Sequence, residues 1–217
     1  MKNLFCIVIA LCCSNISFAQ QWTTQEFESA NTAKNISVLT EQEKEVVRYI
    51  NLARLYPKKF AHIEIVNTHS DLEITNNQYL KSLVYTLKRM KPADALYFNE
   101  SMYQLAKCFA EESGQAGAVG HHRKTCKKGY DAECCSYGYD TGKEVVIQLL
   151  VDEDVPNLGH RNICLDKSME QVGLSIQAHL KYDHCCVLDF KRKAISNDEY
   201  NKKSSVSFFD KVTNVFK

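Results

Sequence analysis

The stretch from Gly120 to Phe190 concentrates the residues able to do chemistry. Two Gly-His pairs, Gly120-His121 and Gly159-His160, bracket Glu133, and cysteines recur around them. Two imidazoles and a carboxylate suit a borderline cation such as zinc, whose usual protein ligands are His, Cys and carboxylate. They equally suit general acid–base work, because histidine titrates near neutral pH. The spacings fit no compact zinc motif, with neither H-E-x-x-H nor a paired C-x-x-C. The plainer alternative has His160 bonding within a turn and Glu133 capping a helix or pairing with a base. Ser136 beside these histidines is a weak Ser-His arrangement, since nothing in the sequence marks it as an activated nucleophile.

The first nineteen residues read as a signal peptide. Lys2 supplies the positive region, Leu4 to Cys13 the apolar region, and Ser17-Phe18-Ala19 a small-x-small cleavage site before Gln20. The apolar run is too short to span a bilayer. Leu11 before Cys12 is not the small residue that precedes a lipidated cysteine, so plain cleavage near Ala19 is the expectation, with a secreted or periplasmic product. Removing Lys2 from the 27 basic residues leaves 26 against 26 acidic ones, a formal charge of zero. No basic field recruits nucleic acid or anionic lipid, and no other segment is apolar enough for a transmembrane span. Of ten cysteines, seven remain after cleavage: Cys108, Cys126, Cys134, Cys135, Cys164, Cys185 and Cys186. Export makes disulfides expected, and an odd number leaves at least one thiol free or paired with another chain. Neighbours on a strand point to opposite faces. One of Cys134/Cys135 and one of Cys185/Cys186 can therefore share a side and bridge across strands. The alternative is that they are small buried apolar residues.

The elements that must position these groups follow from periodicity. Residues 20–39 are polar and aperiodic and read as a leader, with Trp22 outside the core. Thr40-Glu41-Gln42-Glu43 is a capping box opening a helix, with Val46, Val47, Ile50 and Ala53 as its apolar stripe. Arg54 shares that face, its stem covering apolar surface while its head reaches water; a buried pairing is the alternative. Pro57 ends the helix near Tyr56, and His62 to Asn77 reads as a loop. Tyr79, Leu80, Leu83, Val84 and Leu87 mark a second helix before Pro92. Asn99 or Ser101 opens a third, buried through Met102, Leu105, Ala106, Phe109 and Ala110 and broken by Gly114, Gly117 and Gly120. Glu133 to Tyr137 is a strand, and Lys143 to Val151 a helix with Val145, Val146, Leu149 and Leu150 inward. Alternation at Val172, Leu174, Ile176 and Ala178, and again at Cys186, Leu188 and Phe190, gives an antiparallel strand pair turning near Lys181–Asp183. Helices first and short strands later predict an α+β domain. Lys191-Arg192-Lys193 reads as a solvated exit, and Phe208 to Phe216 as a short terminal helix in a polar tail. His62, His69, His179 and His184 read as surface or turn residues. Asn35 and Asn99 fit the glycosylation pattern.

These pieces in order resemble the CAP superfamily: cysteine-rich secretory proteins, antigen 5 and the pathogenesis-related proteins of plants, with the bacterial secreted branch nearest. The matching segments are YINLAR at 49–54, LYFNESMYQLAKCFAEESG at 96–114, GHH at 120–122, ECCSYG at 133–138, GHRNICL at 159–165, QVGLSI at 171–176 and VLDF at 187–190. The resemblance implies an α-β-α sandwich with a small antiparallel sheet over residues 40–190, between a 1–19 signal peptide, a 20–39 leader and a 191–217 tail. It also implies a cleft of two histidines and two acids: His121 or His122, Glu133, Asp152 and His160. Cys134 stands where the family has Asn, Leu149 where it has Trp, and Asp152 is a shorter second acid. The expected function is a secreted, extracellular binding module that takes a divalent metal or a small apolar ligand. Zinc would sit on His121 (or His122), His160 and Glu133, the last as ligand or as the partner orienting an imidazole. The alternatives are a metal-dependent hydrolase, and a structural or interaction protein whose cleft is vestigial. Binding ranks above catalysis because the chain shows neither a marked nucleophile nor a complete metal triad. The small ligand or extracellular partner is not specified by these residues.

Overall fold

A computed structural model describes residues 21–194. The signal segment and the Phe208–Phe216 helix lie outside the described residues. In chain order the elements are α1 (Thr24–Ala30), α2 (Glu41–Leu55), α3 (Pro57–Phe60), a π-helical segment (Ala61–Val66), α4 (Asp71–Asn76), α5 (Gln78–Arg89), β1 (Tyr97–Phe98), α6 (Glu100–Ala116), β2 (Ala132–Tyr137), α7 (Gly142–Val151), α8 (Gly159–Leu165), β3 (Met169–His179) and β4 (Asp183–Arg192). The strands form one sheet in the order β1-β3-β4-β2. Strand β4 runs antiparallel to both β2 and β3, while β1 joins parallel to β3. The sheet is therefore mixed rather than antiparallel throughout; β1 is two residues long and gave no periodic signal.

Alternation along the strands separates two cores. Cys134, Val172, Leu174, Cys186, Leu188 and Phe190 face the larger one, with α1, α2, α5, α7 and α8. Cys135, Cys185 and Val187 face a smaller one against Ala106, Phe109 and Ala110 of α6. The result is an α+β fold of three layers, with the sheet between α6 and the other helices. Helix α6 lies close enough to β3 to demand glycine. A Cβ at Gly173 would fall 1.9 Å from the Tyr103 nitrogen, and one at Gly114 2.1 Å from the Ala178 carbonyl oxygen. Gly114 therefore sits inside α6 as a contact point and does not break it; the left-handed Gly117 ends the helix.

The helix starts follow their capping residues, with boxes at Thr40/Glu43 and, unexpectedly, at Thr23/Glu26 and Ser70/Glu73. The polar leader is part of the domain. Helix α1 buries Ala30 fully, Ala33 follows it into the core, and Asn51 of α2 donates to the Ala30 carbonyl. Trp22, expected outside the core, packs on Phe27, Tyr56 and Phe60, and its Nε1 donates to Glu64 at 2.6 Å. The expected loop at 62–77 contains the π-helical segment and α4, because it supplies this Trp22 contact and the floor beside α5. At the other end, β4 includes Lys191 and Arg192, whose side chains with that of Lys193 are exposed and pair with Asp131, Asp166 and Asp94.

Arg54 is fully buried, so the pairing alternative holds, but with backbone rather than acid. It donates to the carbonyls of Asp94, Cys164, Asp166 and Met169 at 2.8–3.0 Å. Arg161 does the same with Leu150, Val151 and Tyr79, and with Ser82 Oγ. Together they fix α8 between α2 and the C-terminus of α7. Asn99 caps α6 through its Oδ1 and donates its Nδ2 to Gln171, so a glycan on that nitrogen would compete with the Gln171 bond.

Cys108 and Cys126 form a disulfide. The expected bridge between the two vicinal pairs is absent because the register misses it. Cys134 and Cys135 face Leu188 and Val187, whereas Cys185 and Cys186 face Tyr137 and Ser136. All five remaining cysteines are buried thiols. His179 is also buried, against expectation. Its Nε2 meets the Ala118 carbonyl and its Nδ1 accepts from the Lys181 and Tyr182 amides, stapling the β3–β4 turn.

Candidate functional site

Two facing walls each carry a histidine held by a carboxylate. On one wall, the segment after α6 brings His121 over β2. Its Nδ1 lies 2.8 Å from Glu133 Oε1. His121 and His122 are both exposed, and it is His121 that meets the acid. On the other wall, Asp152 ends α7 in a left-handed conformation (φ 56°). Its Oδ1 lies 2.7 Å from His160 Nδ1, and its Oδ2 accepts the His160 and Arg161 amides at 2.9 and 3.2 Å. The shorter acid thus reaches its histidine, because both sit on the short connection from α7 to α8. The two imidazoles face each other with ring centroids 6.3 Å apart and planes tilted by 36°. His121 is half exposed, His160 largely covered, and both acids are buried.

Beneath His121 lies a charge network that the sequence did not signal. Arg123 is buried and donates through Nε and Nη2 to Glu133 Oε2, the Nε bond being 3.0 Å, and through Nη2 to both oxygens of Asp189 at 2.8–2.9 Å. Its Nη1 donates to the Leu105 and Lys127 carbonyls. The guanidinium lies 4.7 Å from the Phe109 ring centroid and 4.6 Å from that of Tyr130, a doubly stacked cation. Asp189 stands directly opposite Glu133 in the β2–β4 register. Two buried carboxylates therefore share one guanidinium, which balances only one of them. Burial pushes the Asp189 carboxyl up to about 8, and the Glu133 charge adds to the rise; Arg123 offsets it only in part. Burial also works to raise Glu133, but hydrogen bonds from His121 and Arg123, with the Arg123 charge, leave it below the ordinary carboxylate range. The surroundings therefore favour the charge on Glu133 and the proton on Asp189. An acid at an inward strand position, as in the run Val187 to Phe190, needs a buried partner; that was the available signal for Asp189.

The donor atoms that converge are His121 Nδ1, Glu133 Oε1 and Cys135 Sγ, all within 4.8 Å of one another. Cys135 Sγ is 3.7 Å from His121 Nδ1 and 3.6 Å from the Gly120 carbonyl. This nitrogen, oxygen and sulfur group could hold a metal ion. His160, expected in the same set, is not among these converging donors, and Cys135 is; the Asp152 bond to His160 Nδ1 leaves its Nε2 unengaged by that acid. Burial raises the Cys135 thiol, and the neighbouring Glu133 charge reinforces the rise, so the thiol is neutral at physiological pH. Ser136 is buried with no hydrogen-bond partner for its hydroxyl and faces the larger core, opposite Cys186, away from His121. It is no nucleophile for this cleft.

Among the described residues, no helix is long and apolar enough to cross a membrane. No protein-family model matches the chain, and no curated protein matches it. Among solved structures, it is similar to an outer surface protein from Borrelia burgdorferi, with 16% identity over 59% of this chain and 97% of that one. The TM-score is 0.37, too low to establish a shared fold.

Proposed function

We propose that this chain is a secreted, CAP-like binding module whose cleft holds a divalent metal, with zinc the best-suited ion. The observation that carries the reading is the approach of three different donor atoms, from His121, Glu133 and Cys135, at one wall of the cleft. Zinc accepts this mixture of imidazole, carboxylate and thiolate, whereas magnesium and calcium select oxygen. Bonds of about 2.0 Å to nitrogen and oxygen and about 2.3 Å to sulfur place tetrahedral donors roughly 3.3–3.6 Å apart. The 3.7 Å between Nδ1 and Sγ already fits. The 2.8 Å Nδ1–Oε1 contact must open by roughly 0.5 Å as its proton leaves. Arg123 keeps the other Glu133 oxygen fixed, so only Oε1 is presented. Held by His121, Glu133 and Cys135, an ion would supply Lewis acidity there. The order of motifs shared with the CAP superfamily and the paired His–acid walls support the family reading.

Zinc titration of the protein by calorimetry tests this. The expected result is one-to-one uptake that falls at least tenfold in Cys135→Ser and His121→Ala, with a smaller loss in His160→Ala. No uptake by the unaltered protein, or uptake indifferent to both Cys135→Ser and His121→Ala, overturns it.

A further inference from the structure

Five buried thiols accompany the Cys108–Cys126 disulfide, and geometry selects one pair among them. Within the sheet, Cys134 and Cys186 share one face and Cys135 and Cys185 the other, but each pair is two residues out of opposition. Such diagonal neighbours lie about 7–8 Å apart, whereas the Cβ atoms of a disulfide sit about 3.8 Å apart. The remaining sheet combinations point to opposite faces. Cys164, on α8, is different. The Cys134 thiol lies 3.9 Å from the His160 carbonyl oxygen, one helical turn before Cys164. Burial raises the Cys134 thiol, and the neighbouring Cys164 thiol adds to the rise. Both residues are fully buried, in the same core.

We propose that Cys134 and Cys164 form a second disulfide in the oxidised protein. It would join β2, the strand of Glu133, to α8, the helix of His160, and so tie the two walls of the cleft beneath the histidines. The reaction is thiol–disulfide exchange with a disulfide-form oxidant, such as an oxidised dithiol oxidoreductase or oxidised glutathione. One thiolate attacks the oxidant's disulfide and expels a thiolate. The second cysteine then attacks the mixed disulfide and expels the other. Two protons and two electrons leave the protein, and the oxidant becomes two thiols. Since both sulfurs are inaccessible in the fold, exchange takes place before the core closes. Cys135, Cys185 and Cys186 stay reduced, which leaves Cys135 available as a donor. The proposal does not depend on metal binding.

The test is peptide mapping by mass spectrometry of the protein recovered from an oxidising compartment, alkylated in denaturant and digested without reduction. The expected map has a Cys134–Cys164 link beside Cys108–Cys126, with Cys135, Cys185 and Cys186 alkylated. Recovery of Cys134 or Cys164 as an alkylated thiol, or linked to any other cysteine, overturns the proposal. Because the map is made on the unaltered protein, no variant has to fold.

Discussion

Arg54 and Arg123 are both buried arginines, and they sit in chemically opposite surroundings. Arg54 gives its protons to four backbone carbonyls, and burial lowers its pKa. Arg123 gives most of its protons to two carboxylates; burial alone would lower its pKa, but those partners raise it. A guanidinium answered by dipoles holds chain segments together without regard to pH. One answered by acids makes its neighbourhood titrate, and the titrating neighbourhood is the floor under His121. The first region is framework and the second belongs to the site.

The sharpest way to break this contrast is to replace each arginine with Met. Arg54→Met strands four carbonyls and is expected to cost about 4–5 kcal/mol. That cost should be the same at pH 5 and pH 8 in chemical denaturation. Arg123→Met leaves two acids facing each other and is expected to cost about 3–5 kcal/mol at pH 8, and less at pH 5, where both acids can hold protons. Equal pH dependence in the two variants would erase the distinction.

Asp189→Asn sharpens it with a smaller effect. In the fold the Asp189 carboxyl holds its proton up to about 8 rather than 3.8. The folded state therefore binds more protons than the unfolded chain between those values. The stability this contributes is full below pH 3.8 and is lost as pH rises towards 8. Glu133, held low, acts oppositely: its contribution is present above its ordinary value and is lost as pH falls through its lowered one. Asp189→Asn should flatten the decline between pH 5 and 8, leaving the variant about 2–4 kcal/mol better placed at pH 8 relative to its standing at pH 5. An unchanged slope would remove Asp189 as its source. The smallest effect belongs to the framework side. Ser82→Ala removes one acceptor from Arg161 and should cost about 1 kcal/mol with no change in pH profile, read from the same denaturation curves.

The same contrast explains what the sequence revealed. Helices α2, α5, α6 and α7 announced themselves through capping residues and period, because each buries one face, and strands β2 to β4 through residues alternating between the two cores. Helix α1 and the π-helical segment did not, since they dock through single contacts such as Ala30 and Trp22 that leave no periodic trace. Strand β1 is too short for any period. Glu133 and His160 were legible from local motifs, Asp152 only through the family resemblance, and the choice of His121 over His122 required the fold. Arg123 and Asp189 escaped because a charge in sequence reads as solvated until its partner, 66 residues away, is known. Cys135 escaped because a one-residue change of register decides whether it meets a histidine or another thiol.

The two glycine contacts between α6 and β3 carry a mechanical consequence. With Gly114 and Gly173 both pressed against backbone, α6 cannot slide or rock on the sheet without collision. The wall built on it, from the Phe109 ring to Arg123 and Glu133, is the stiffer of the two that carry the histidines. Arg54 and Arg161 fix α8 on the opposite side, so compliance is left to the turn between α7 and α8. Under the proposed function, amide exchange should slow chiefly between Asp152 and Leu158 when zinc is added.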